Sequence, residues 1–273
     1  MKNYSIIGAG AVGRSIALAL FYNGEKPKAV FSEYGKSASA LAKKVKTEVS
    51  GTVEQLQLIS DLIIISVPDD KMSDVVTRIS AMTQSLRGKT FLHTSGALTS
   101  DILLPLKKKG ASIGSFHPLQ TFVKKNERTS LKNIYCAIEG DSAAVTVAKV
   151  LARKIGAQYF LVSKKDKTLY HIAAVFASNY QVTLFSVVEQ IAAIIKMPKA
   201  QLWKIFQPLI DQTLENVFSS SPAKALTGPI ARSDYQTITK HLKTLESSKS
   251  LEHLVPLYST LGIETARLAK RKK

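Results

Sequence analysis

Cysteine is nearly absent: Cys136 is the single one in 273 residues. No disulfide can form within the chain, and no pair of cysteines or histidines stands at a spacing that would grip a metal, so disulfide-stapled and zinc-ribbon architectures are excluded. Acidic residues are also scarce, 20 against 38 lysines and arginines, which leaves a formal net charge of +18. Such a field draws nucleic acid, acidic membrane or anionic metabolites. The basic residues are scattered, however. Only 107–109 and 270–273 form runs, and no stripe of basic and aromatic side chains follows one element. A solvated surface that steers anionic ligands accounts for the pattern, and a nucleic-acid function is disfavoured. Long unbroken apolar stretches are missing as well. The most apolar later one, 172–188, is interrupted by Ser178, Asn179, Gln181 and Thr183, which reads as a buried helix and not as a membrane span. Met1-Lys2-Asn3 leads directly into a strand and leaves no room for a cleavable signal sequence. The expected location is the cytoplasm.

What is present is organised around residues 5–14, a short apolar strand, a glycine turn and a helix that starts at once. The spacing Gly8-x-Gly10-x-x-Gly13 has a mechanical meaning. Gly8 permits the tight turn, Gly10 lets the backbone approach a pyrophosphate, and Gly13 lets helix pack on strand, while the helix N-terminus offers free N–H groups to the anion. A glycine pattern alone is weak, but here it follows a strand and opens a helix, which points to dinucleotide binding.

After this turn, β-rich runs alternate with amphipathic helices, the pattern of a parallel sheet covered on both faces. Strands are predicted at 28–32, 61–67, 90–93, 112–116, 134–139 and 158–162, with helices at 37–46, 53–59, 70–85, 99–109 and 142–155. Leu62-Ile63-Ile64-Ile65 has no alternation, so its strand is buried on both faces and central. Beyond 163–166 no further strand is predicted. An unbroken helical rod over 167–196, roughly 45 Å long, is followed by helices at 199–218, 233–245 and 251–269. The domains expected are 1–165, binding a dinucleotide, and 166–273, all-helical. There is no internal repeat.

Several stretches together resemble one family: Gly8 to Gly13, Val67-Pro68-Asp69-Asp70, His93-Thr94-Ser95-Gly96-Ala97, and the longer motifs at 116–122, 169–180 and 225–234. The sequence is similar to predicted oxidoreductases that join a Rossmann-like domain to a helical domain of unknown function, in the layout of pyrroline-5-carboxylate reductase, ketopantoate reductase and 6-phosphogluconate dehydrogenase. The resemblance covers nearly the whole chain. It implies a doubly wound, mostly parallel α/β domain followed by a helical domain like the C-terminal one of 6-phosphogluconate dehydrogenase, NAD(P) binding in the first and homodimerisation through the second. Two positions depart from the pattern of such enzymes. Taking Asn179 as the asparagine of the hydroxyacid and 6-phosphogluconate dehydrogenases puts Val175 where they carry a lysine. At the end of the second strand, Ser32-Glu33 stands where relatives often show a serine and an arginine that meets the 2′-phosphate of NADP.

Ligands of open parallel sheets sit at the carboxyl ends of the strands, which makes Ser32, Val67, Pro68 and His93 candidates for holding the cofactor beside Gly8, Gly10, Ala11, Val12 and Gly13. The choice between NADP and NAD leans to NADP, because Ser32 replaces a carboxylate and Lys36 is close, while Glu33 argues the other way. The candidate catalytic residues are His171, Asn179, His117 and Ser95. His171, Val175, Ser178 and Asn179 share one helix face by spacing, and a histidine can act as general acid near neutral pH; a hydrogen-bonded strand-end or helix-packing role is the bland alternative for each. Tyr170 ranks below its neighbour His171. Arg232, beside a helix start, suits a carboxylate or phosphate of a small anionic substrate. Asp69 and Asp70 read as helix-capping residues, and no metal site is expected. The function expected is hydride transfer between a nicotinamide cofactor and a small anionic carbonyl, imine or alcohol. The alternative is a non-catalytic dinucleotide-binding or sensing protein, to which the valine at 175 lends weight.

Overall fold

The structure, a computed structural model, describes residues 3–123 and 130–271. The last two lysines of the C-terminal basic run, Lys272 and Lys273, lie outside the described residues, as do Met1 and Lys2. The chain divides into two compact units, Met1–Asn179 and Tyr180–Lys273. The residues 166–179, expected in the helical domain, fall in the first unit.

The first unit is built on β1 (Tyr4–Ile7), α1 (Ala11–Tyr22), β2 (Ala29–Ser32), α2 (Lys36–Val45), β3 (Val49–Thr52), β4 (Leu62–Ile65), α3 (Asp69–Met82), β5 (Thr90–His93), α4 (Leu104–Lys107), β6 (Ser112–Pro118), β7 (Tyr135–Gly140), α5 (Ser142–Lys154), β8 (Gln158–Leu161) and α6 (Lys167–Ala177). The strands form one sheet in the order β3-β2-β1-β4-β5-β6-β7-β8. All pairs are parallel except β6 with β7. β1, β2, β4 and β5 are buried along their whole length. Successive side chains enter opposite cores: Leu62 and Ile64 pack with α1, α2 and α5, and Ile63 and Ile65 with α3 and α4. Each side chain so buried contributes about 1.5–3 kcal/mol, and only unbroken apolar sequence supplies both layers at once. The chain order reverses at β1, with β2 on one side and β4 on the other, and the carboxyl ends meeting there form the crevice that open sheets use for ligands.

The second unit contains α7 (Asn179–Ile194), which begins at the boundary, α8 (Leu202–Ser219), α9 (Pro222–Ala225), α10 (Tyr235–Glu246) and α11 (Val255–Lys270). Its buried cluster is small, Leu245, Leu251 and Leu254 with Val187 and Tyr258 against them. Trp203, Ile205, Leu209, Leu214 and Phe218 on α8 are exposed. Asp234 caps α10 by accepting the N–H of Thr237 at 3.0 Å.

Four expectations are corrected. Val49–Thr52 is an edge strand, and the helix expected at 53–59 is a single 3-10 turn, Val53–Gln55; the sequence Val-Ser-Gly-Thr is too short and polar to announce a strand, and pairing with β2 makes it one. The helix expected at 99–109 is a 3-10 turn, Ser100–Leu103, followed by α4, because Pro105 suits a first helical turn and not an interior. The rod at 167–196 is broken at Ser178, whose φ of −128° and ψ of −70° lie outside the helix. Serine and asparagine side chains compete for backbone hydrogen bonds, and a break that leaves the apolar spacing in phase is invisible to periodicity. The expectation of a buried helix at 172–188 fails too: Ile172, Phe176, Tyr180 and Val182 are exposed, and Lys164–Ile194, counted across the break at Ser178, has the length and apolarity of a membrane-crossing segment.

Candidate functional site

The glycine turn between β1 and α1 is forced at two positions and open at the third. Gly8 has φ of +102°, and a Cβ there would stand 2.4 Å from the carbonyl oxygen of Ser66. A Cβ on Gly13 would stand 2.1 Å from the carbonyl oxygen of Gly8 and 2.3 Å from Ser66 Oγ. These contacts lock α1 against the end of β4, where the Ser66 hydroxyl donates to the Gly8 carbonyl at 2.6 Å. A Cβ on Gly10 would meet nothing within 4 Å. Gly10 is the residue preceding α1, so Ala11, Val12 and Gly13 form the first turn, whose N–H groups have no partner inside the helix. The turn opens on a cavity of about 330 Å³ that Gly8, Gly10, Ser32, Val67 and Pro68 help to line. A cradle with free N–H groups and space at its glycine fits a pyrophosphate. Ser32 is buried and its Oγ accepts the N–H of Ala38 at 3.1 Å.

A second cavity of about 540 Å³ opens in the same unit, lined by His117, Tyr170, His171, Phe160, Val175 and Asn179 among others. His117 lies at the end of β6, Gln120 and Thr121 come from the segment that follows it, and the other polar groups come from α6 and its terminus. His117 Nδ1 and the Tyr170 hydroxyl are hydrogen-bonded at 2.7 Å. The rings of His117 and His171 meet edge to face, 6.2 Å apart. Both approach Gly96, after β5: a Cβ there would be 2.7 Å from His171 Nδ1 and 2.9 Å from His117 Nε2. His171 Nδ1 is buried with no hydrogen-bond partner among the described residues, an arrangement that costs free energy until a ligand or water supplies one.

His93 and Ser95 do not reach this cavity's lining. His93 is fully buried, and its Nδ1 accepts the N–H of Ser95 at 3.3 Å. The Ser95 hydroxyl donates to Asp69 Oδ2 at 2.9 Å and accepts the N–H groups of Ala97 and Leu98. Both residues thus brace the loop after β5. Arg232 lies in the second unit, in the turn before α10; there the Asp234 carboxyl is held below its usual range by the Thr237 hydrogen bonds, with the charge of Arg232 adding to the effect. Among the described residues, no three His, Cys, Asp or Glu side chains gather to hold a metal.

A buried cation that local spacing does not announce acts on this site. Lys167, in the first turn of α6, is fully buried, and its Nζ donates to the hydroxyl of Ser115 on β6. Burial lowers its pKa to about 8, and the charges of Glu139 and Asp69 oppose that shift. Glu139 is itself buried and accepts the N–H and hydroxyl of Ser100 at 2.7 and 2.6 Å. Burial, then the neighbouring Lys167 charge, lowers His93 to about 3 and His117 to about 4, so both imidazoles are neutral near pH 7. Burial also raises the Tyr170 phenol to about 12. Beside Lys164 and Lys165, Lys167 reads as one more surface lysine.

Comparison with known proteins agrees with this layout. Residues 2–118 match the model of a Rossmann-like domain, and 134–265 match DUF2520, a domain of unknown function. No curated protein matches the sequence. Among solved structures, a proposed NADP oxidoreductase from Bacteroides fragilis is 25% identical, with a TM-score of 0.80 over 97% of this chain and 98% of that one. A protein from Thermotoga maritima is 24% identical, with a TM-score of 0.74 over 98% and 99%. A reductive aminase from Aspergillus terreus, in complex with NADPH and ethyl-5-oxohexanoate, is 16% identical, with a TM-score of 0.68 over the full length of both chains. The last two share the fold.

Proposed function

We propose that this chain, a Rossmann-like domain joined to a domain of unknown function, is an NAD(P)-dependent oxidoreductase acting on a small anionic carbonyl, imine or alcohol. The observation that carries the reading is the pairing, at one edge of one sheet, of an open glycine cradle with a cavity holding the His117–Tyr170 pair and the unpartnered His171 Nδ1. The likeness to the Bacteroides fragilis protein supports it.

The nicotinamide would supply the hydride chemistry when bound. The chain's own residues would do the rest. Gly8 and Gly10, with the N–H groups of the first turn of α1, would bind the pyrophosphate. Val67 and Pro68 would border the dinucleotide. The substrate oxygen or nitrogen needs a proton donor within hydrogen-bond reach. His171, with a free buried Nδ1, and the neutral His117–Tyr170 pair stand in one cavity for that role, and Asn179 lines the same wall. Phe160 and Val175 would keep water away from the reacting atoms. Arg232 and the net positive charge would favour an anionic substrate. A sensing protein, the alternative, would bind the dinucleotide without turnover.

Each unit exposes apolar side chains of the kind that a second copy covers, Leu169, Ile172 and Phe176 on α6 in the first and Ile205, Leu209 and Phe218 on α8 in the second. A homodimer is therefore part of the proposal, and the cytoplasm is its proposed location. Calorimetric titration with NADH and NADPH tests the central reading: binding of one or both is expected, and no heat from either ends it.

A further inference from the structure

The glycine-turn cavity continues past Ser32 to a rim with two walls. One wall is the β2–α2 loop with Glu33, Tyr34 and Ser37, and the other is the face of α3 that carries Lys71, Asp74, Val75 and Arg78. These α3 positions are spaced i, i+3, i+4 and i+7, so they share one side of the helix. Arg78 Nη1 donates to Glu54 Oε1 at 2.7 Å. Glu54 follows β3 by two residues, and β3 pairs with β2 so that Thr52 lies opposite Ser32. The ion pair thus holds a guanidinium from α3 beside the carboxyl end of β2, where the adenosine ribose of a dinucleotide belongs in this fold.

At the end of β2 itself, no cationic side chain lines the cavity among the described residues. Ser32 is buried and caps Ala38, and the next residue is the carboxylate Glu33. We propose that Arg78, anchored by Glu54, reads the 2′-phosphate of NADP in this protein, taking from α3 the task that a residue following β2 would otherwise perform. The inference rests on the nucleotide-binding reading and specifies it. A guanidinium has five N–H donors in a fixed fork. Glu54 takes one Nη1 donor, which leaves the rest of the fork for phosphate oxygens. The pair is half-exposed on both sides, so solvent screens it and the guanidinium can shift toward a doubly charged ligand. Lys71 adds a second cation on the same wall. Glu33 opposes the phosphate, but it lies on an exposed loop beside Tyr34, which is 83% exposed, and its carboxylate can turn to solvent.

Calorimetric dissociation constants for NADPH, NADH, adenosine 2′,5′-bisphosphate and AMP test the inference in wild type, Arg78→Ala and Glu33→Gln. Wild type is expected to bind NADPH more tightly than NADH. Arg78→Ala should weaken NADPH and the bisphosphate by about ten- to a hundredfold, the worth of one charge-assisted contact, and leave NADH and AMP unchanged. Glu33→Gln should tighten the two 2′-phosphate ligands. Because Arg78 is half-exposed, a thermal melt of Arg78→Ala close to wild type is expected and separates ligand loss from misfolding. An NADH preference in wild type, or equal weakening of NADPH and NADH in Arg78→Ala, would overturn the inference while leaving the dinucleotide reading intact. No binding of either dinucleotide to wild type would end both.

Discussion

Lys167 and Ser115 are bonded to each other, ammonium to hydroxyl, where neither residue has any exposed surface. A charge in that position is tolerable because Glu139 and Asp69 lie near enough to favour it, and its field acts on the two histidines at the ends of β5 and β6.

Acid stability should report those histidines. His93 and His117 are held near 3 and 4, below the ordinary 6.5, so the unfolded chain takes up protons that the folded one refuses. Stability is then complete above about pH 6.5 and falls progressively as pH drops from there toward 4 and 3, levelling off below the folded values. Urea melts across that range should show the loss, and His117→Asn should make it shallower. A flat profile would mean that the imidazoles charge freely.

The buried lysine predicts an opposite window. Its pKa of about 8 lies below the ordinary 10.5, so between those values the unfolded chain holds the extra proton and stability rises with pH. Lys167→Met should remove the rise. Equal slopes for the two proteins between pH 8 and 10 would show that Lys167 is not shifted.

The three glycines of the turn should separate folding from binding. Gly13→Ala puts a Cβ 2.1 Å from a backbone carbonyl and should lower the melting temperature sharply. Gly10→Val meets open space and should melt like wild type, yet lose nucleotide binding by calorimetry. If Gly10→Val still binds NADPH normally, the pyrophosphate does not sit there.

At the second cavity, His171→Ala should lower turnover by roughly 10²- to 10⁴-fold, the usual worth of a general acid, with nucleotide affinity unchanged. Tyr170→Phe breaks the 2.7 Å bond to His117 and distinguishes the two donors. If it lowers turnover more than His171→Ala does, the tyrosine–histidine pair delivers the proton. Gly96→Ala should impair both variants' parent activity, since its Cβ intrudes on both imidazoles. In the second unit, the proposed anion contact of Arg232 is tested apart from that cavity: Arg232→Ala should raise the Michaelis constant more than it lowers kcat, as for a group that binds ground and transition state alike.

Light scattering should find a dimer at micromolar concentration. Phe176→Asp, in an exposed apolar position of α6, should shift it toward monomer; a monomeric wild type would leave the exposed apolar faces without the proposed cover.

The sequence by itself determined what depends on short range. The glycine turn needs a positive φ at Gly8 and no Cβ at Gly13, and the run Leu62 to Ile65 needs two apolar layers; both requirements are written in neighbouring residues. His117 and His171 were legible as candidates because strand ends and helix faces follow from local spacing. Tertiary structure alone decided what depends on partners distant in the chain. β3 is a strand because β2 lies beside it, and Arg78 faces the cavity rim because Glu54, 24 residues earlier, holds it. Lys167 differs from Lys164 and Lys165 through Ser115, 52 residues away, which takes its ammonium into the interior. Periodicity tells which side of a helix a residue occupies, and only packing tells whether that side meets solvent, a carboxylate or a hydroxyl.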